Sequence, residues 1–207
     1  MKFISLGNDC FSAAILKLYG FKYCSYMFDW SITNVDNIIN ILNNFSTQDK
    51  YDYLVNGQLI NFVHHTDLLY RKRCIERFFN ILQSSEDKVF LLTLKENYDK
   101  EKIIKLAKIL TEKTINFKLI CIDIIYSNNT KLYKIQNVSE YFEYWRLETA
   151  NSTPYPSDTY DDIPQYKIFF QIFEKYLNKT LDEIFSYENI QKEISIYPII
   201  SKEDWNN

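Results

Sequence analysis

The 207 residues of the chain are enough for one compact domain with a real hydrophobic core. Hydrophobic residues at 46%, aromatics at 17% and charged residues at 25% exclude a disordered or low-complexity chain, and 3 Gly with 4 Pro are too few turn formers for an all-β barrel or sandwich. The balance of 24 basic against 27 acidic residues, a net charge of -3, excludes a general grip on nucleic-acid phosphates.

The opening Met1-Lys2-Phe3-Ile4-Ser5-Leu6-Gly7-Asn8-Asp9-Cys10 lacks the apolar core and small-residue cleavage site of a secretory leader. No later run approaches the apolar length of a membrane span. The expectation is a soluble, cytoplasmic protein. In chain order, Phe3 to Leu6 forms a short strand that ends at Gly7, and Ala13, Ala14, Leu16 and Leu18 follow at helical spacing as far as Gly20. Thr33 and Asp36 resemble a capping box for a second helix carrying Val35, Ile38, Ile39, Leu42 and Phe45. Tyr70, Cys74, Phe78, Ile81 and Leu82 keep the helical period in a third helix over 68–82.

Next comes a continuous apolar run from Val89 to Leu94, then a helix with Ile103, Leu106, Ala107 and Leu110, then the run Phe117 to Ile125. Uninterrupted apolarity on both sides of a helix is the mark of parallel strands covered on both faces, so this reads as a βαβ crossover. The aperiodic, Pro- and Ser-bearing stretch 148–162 is a loop. Beyond it, Pro164 precedes an aromatic helical stripe of Tyr166, Phe169, Phe170, Phe173, Tyr176 and Leu177, which packs on the core, and Thr180 with Glu183 caps a last short helix. The predicted organisation is a catalytic-type α/β core over 1–147 and a helical extension over 163–207. The predicted fold class is α/β, a Rossmann-like three-layer core with a parallel sheet, with a papain-like α+β fold as the alternative.

Cys10 stands directly after a strand and a tight turn, at the entry of a helix that Asn8 or Asp9 could cap. There the positive end of the helix and its free N–H groups favour a thiolate and can hold an oxyanion. The alternative is a small buried hydrophobe, the role expected of Cys24, Cys74 and Cys121. With no C-x-x-C pair, neither a disulfide framework nor a Cys-rich zinc site is indicated. The 2 histidines, His64 and His65, are adjacent, so in an extended segment only one can face the thiol as its base. They are equally compatible with a polar helix entry. No H-E-x-x-H is present, and no metal or cofactor is expected.

Asp123 lies inside an apolar run, where an acid needs a partner, and it is the preferred residue to orient the imidazole. Its alternative is an edge-strand acid facing water. Asp29, in Phe28-Asp29-Trp30, competes for the role or binds local N–H groups in a turn. Arg71, Arg73 and Arg77 cluster on the third helix and could fork onto a phosphate or carboxylate, or form a solvated face paired with Glu76 or Asp67. No Gly-rich phosphate loop and no G-x-S-x-G elbow occurs.

The stretch Ser5-Leu6-Gly7-Asn8-Asp9-Cys10, the stretch Tyr26-Met27-Phe28-Asp29-Trp30, the segment Phe62 to His65 and the stretch Arg73 to Phe78 together resemble a family described as papain-like cysteine peptidases, over about residues 3 to 125. The resemblance implies Cys10 as nucleophile and one of His64 or His65, with His64 preferred, as base. It also implies a chain order of Cys10, His64, Asp123 parallel to the Cys, His, Asn/Asp order of such enzymes. The sequence departs from that family at Asp9, where Asn is commoner, and at Leu92, where an Arg is usual. The function expected is a Cys-His-Asp hydrolase of peptide, amide or ester bonds, with Asn8 and Asp9 on the oxyanion side. The alternatives are an acyl- or glycosyl-transferase of glycan or polysaccharide biosynthesis, using the arginines for a phosphate-bearing donor, and a non-enzymatic interaction module. The partner would be a small-molecule, peptide or glycan-linked substrate. The sequence leaves the oligomeric state open.

Overall fold

A computed structural model describes residues 1–8, 10–44, 54, 59–62, 67–95, 99–150 and 167–184. Its elements are β1 (Lys2–Ser5), α1 (Phe11–Leu18), β2 (Ser31–Ile32), α2 (Val35–Asn44), β3 (Asn61–Phe62), α3 (Leu68–Gln83) and β4 (Lys88–Lys95). They continue with α4 (Lys100–Lys113), β5 (Phe117–Tyr126), β6 (Lys131–Ser139), β7 (Phe142–Thr149), α5 (Phe170–Phe173) and α6 (Leu181–Ile184). Single 3₁₀ turns, Lys167–Phe169 and Glu174–Tyr176, flank α5.

The main sheet has the order β1-β4-β5-β7-β6, with the first four strands parallel and β6 antiparallel to β7. β2 and β3 pair separately as a short antiparallel ribbon. Side chains alternate across the pleat, which assigns the two halves of each apolar run to different layers. Phe90, Leu92 and Cys121 join Ile4 under Ile38 of α2, Ile75 of α3 and Ile103 of α4. Val89, Leu91 and Ile122 face the other way, against Phe11 and Ile15 of α1 and Phe169 and Phe173 of the C-terminal segment. This is the three-layer α/β arrangement, and the crossover β4-α4-β5 is the βαβ unit read from the sequence.

Three local details differ from the sequence reading. α2 is capped by Asn34, whose Oδ1 accepts the Asn37 N–H at 2.8 Å, because Thr33 is engaged elsewhere, donating its hydroxyl to the Leu59 carbonyl at 3.1 Å. The antiparallel hairpin β6-β7 carries no expectation from the sequence, and β7 runs on through Glu148 and Thr149, read there as loop. The aromatic stripe does pack on the core through Phe169, Ile172 and Phe173, but as one α-helical turn between 3₁₀ turns. The box at α6 forms as expected, with Glu183 Oε2 accepting the Thr180 N–H at 2.7 Å and Thr180 Oγ1 accepting the Glu183 N–H at 3.3 Å. Pro164 and Tyr166 lie outside the described residues.

Lys88, 1% exposed at the amino end of β4, closes the bottom of the sheet. Its ammonium donates to the carbonyls of Ser84, Glu86 and Ile115 at 2.9, 2.6 and 3.0 Å, and its burial lowers its pKa. No helix among the described residues is long and apolar enough to cross a membrane.

Candidate functional site

The turn from β1 into α1 builds the site. β1 ends as the Leu6 N–H donates to the Leu91 carbonyl at 2.9 Å, and Gly7 and Asn8 then both enter the left-handed region, at φ 78° and 77°. Glycine is required at position 7 on two counts: a Cβ there would stand 2.9 Å from Thr33 Cγ2, and the φ disfavours any L side chain. The reversal delivers Cys10 as the N-cap residue of α1, with φ -70° and ψ -9°, at the carboxyl end of β1. Its side chain makes no capping hydrogen bond, and its carbonyl accepts the Ala14 N–H at 3.0 Å. The thiol is buried with Ala13, Ala14 and Trp30. Cys10 thus stands at the N-terminal, positive end of α1.

Two further residues, Ser12 and Thr93, fix that geometry, and neither stood out in the sequence. Past Ser5 the free N–H of Thr93 on β4 has no strand partner, because β1 has ended. Ser12 Oγ accepts it at 3.1 Å and shares a 2.8 Å hydrogen bond with Thr93 Oγ1, tying the first turn of α1 to β4. Trp30, which walls the thiol, holds φ 56°, a conformation that costs a bulky residue free energy and persists only where its surroundings enforce it. Trp30 also lies 5.8 Å from the Lys22 ammonium, measured to the ring centroid.

Asp29 is the acid of this wall. It is 3% exposed, accepts the Tyr26 N–H at 2.8 Å and forms an ion pair with Lys22 at 3.0 Å. Lys22 donates in addition to Ser25 Oγ at 2.7 Å and to the Cys24 carbonyl at 3.2 Å. Asp29 therefore does what a turn aspartate does and adds a buried counter-ion.

Asp123 is two strands away from β1, on the sheet face shared with Leu119 and Cys121. The partner that its burial demands is Arg146, whose Nε and Nη2 reach Oδ2 at 3.3 and 3.1 Å, together with the Tyr144 hydroxyl at 3.1 Å. His64, His65 and Asp9 lie outside the described residues. Of the remaining thiols, burial pushes Cys74 up to about 12 and raises Cys121 well above its ordinary range, consistent with core roles, while Cys24 is half-buried in the turn before Ser25.

Arg71, Arg73 and Arg77 of α3 are half-buried. Asp67 spends its carboxylate on the N-cap, accepting the Tyr70 N–H at 2.8 Å, and Arg71 lies over the Phe62 ring at 4.8 Å. Arg73 lies 6.0 Å from the Tyr70 ring centroid, and Arg77 continues the same helix one turn later. Among the described residues no group of three His, Cys, Asp or Glu is placed to hold a metal ion. A cleft of about 340 Å³, lined by Lys118, Lys134, Ser139, Glu140 and Glu143, opens at the amino half of β7, away from Cys10.

Residues 1–58 match the family model described as "Putative papain-like cysteine peptidase (DUF1796)", the family that the sequence resembles. The matched stretch holds β1, the Gly7-Asn8 turn, Cys10, α1, the Asp29-Trp30 wall and α2. No curated protein and no solved structure matches the chain.

Proposed function

We propose that the protein is a thiol-dependent hydrolase or acyl-transfer enzyme with Cys10 as its nucleophile. The observation that carries this reading is the place of Cys10, buried against Trp30 at the entry of α1 directly behind a parallel strand. Active sites of open α/β sheets gather at the carboxyl ends of the strands, and the family match over residues 1–58 supports the same class of chemistry.

In the proposed step His64 takes the thiol proton, Cys10 Sγ attacks the carbonyl carbon, and the N–H groups from Asn8 to Cys10 receive the oxyanion. Collapse expels the leaving group, which takes its proton from the imidazolium, and leaves a thioester on Cys10. Water or another acceptor then releases the acyl group. Asp123, with Oδ2 occupied by Arg146 and Tyr144, has Oδ1 to offer the imidazole.

Iodoacetamide labelling of the native protein at neutral pH, read by mass spectrometry, tests the assignment. Cys10 is expected to label first, and Cys74 and Cys121 slowly. His64→Ala should slow Cys10 labelling by at least about tenfold, and His65→Ala by less. Equal labelling of all four cysteines, or protection of Cys10, overturns the proposal.

A further inference from the structure

Arg77 is in an unusual electrostatic position. Its Nη1 and Nη2 atoms are both shut off from solvent, and neither has a hydrogen-bond acceptor among the described residues. A lysine in such a place can shed its proton, but a guanidinium cannot, so the charge must be met by an anion or left uncompensated. Buried cations in folded proteins are paired, because desolvation without a partner is costly.

Asp67 caps α3, and Asp29 is held by Lys22 and the Tyr26 N–H. The Cys74 thiol, one turn before Arg77, feels the charges of Asp29, Arg77 and Lys22. The paired Nη1 and Nη2 edge of a guanidinium matches two oxygens of one phosphate or carboxylate.

We propose that Arg77 is the receptor for an oxyanion, the phosphate or carboxylate group of a ligand. The Arg71 and Arg73 guanidiniums lie 4.8 and 6.0 Å from the Phe62 and Tyr70 ring centroids. The inference does not rest on the nucleophile assignment, and Cys10 labelling is not its readout.

The test is thermal melting of the full chain in sodium phosphate, in sodium acetate and in sodium chloride at matched ionic strength. Phosphate or acetate is expected to raise the melting temperature of the wild type above its value in chloride, and the larger of the two shifts identifies the anion class. Arg77→Met keeps much of the volume and removes the charge. It should melt in chloride no lower than the wild type, and the anion-specific shift should vanish. If Arg77→Met does not fold, Arg77→Lys decides: it keeps the charge without the planar pair, and its apparent affinity for the anion should fall at least about tenfold. Equal shifts in wild type and variant, or no shift beyond chloride with either anion at millimolar concentration, overturn the proposal.

Discussion

Gly7 shows how closely the candidate site depends on single backbone positions. Its left-handed φ and the 2.9 Å that would separate an added Cβ from Thr33 Cγ2 act on the same atom. Gly7→Ala is therefore expected to destabilise the fold by about 2 kcal/mol, half or more of it from the dihedral. Chemical denaturation should show a lower midpoint at unchanged slope, and Cys10 labelling should change rate because the same turn aims the thiol. Asn8 reaches a similar φ of 77° without glycine, as Asn does more readily than other side chains. Trp30 is a bulky residue at φ 56° packed beside Cys10, a conformation that its surroundings must enforce.

At the scale of elements, the seam between α1 and β4 is the vulnerable joint. Ser12→Ala removes the acceptor of the buried Thr93 N–H and the partner of its hydroxyl, and should cost about 1–3 kcal/mol, measured by urea denaturation. Ser12→Thr, which keeps the hydroxyl, should recover part of that loss. The elements that were legible in the sequence are those whose signal is local. The runs Val89 to Leu94 and Phe117 to Ile125 are apolar on both faces because helices cover both, and Gly7 announces the turn before Cys10. β7 was not legible because Glu143 and Arg146 interrupt its apolar residues, and a charge in sequence reads as surface unless its distant partner is known. The partner of Arg146 is Asp123 on β5, and Glu143 meets lysines from three different segments. For the same reason the sequence offered Glu76 or Asp67 as partners for the arginine cluster without showing that Asp67 also caps α3. Asn34 displaced Thr33 as the cap of α2 because the Thr33 hydroxyl had a carbonyl to serve outside the helix.

Across the whole molecule, Glu143 binds the layers together. Lys118 of β5, Lys134 of β6 and Lys175 of the last 3₁₀ turn approach its carboxylate at 2.9, 3.4 and 2.7 Å, and Trp145 Nε1 donates to it at 3.1 Å. Burial alone would raise its pKa, but the hydrogen bonds from Lys175, Lys118 and Trp145 reverse that and bring it from 4.5 down to about 2. Because the folded value lies below the unfolded one, the stability it contributes is complete above about pH 4.5 and is lost as the pH falls toward 2. After allowance for the partly exposed lysines, Glu143→Gln should cost about 2–3 kcal/mol at neutral pH. Urea denaturation across the acid range should show that deficit shrinking as the wild type protonates. A constant deficit down to pH 2 would show that the carboxylate charge is not what holds the C-terminal segment to the sheet.

The outer strand of that sheet has one more consequence. β6 departs from regular register with β7 between Lys134 and Gln136 and again between Asn137 and Ser139, and Lys131 and Lys134 on it are exposed. A free strand edge invites another chain to add on, and the usual deterrents are bulges that twist the edge away and lysines that would have to lose their water. β6 carries both. Both features disfavour strand addition, and the fibrous aggregation it begins, at this border of the sheet.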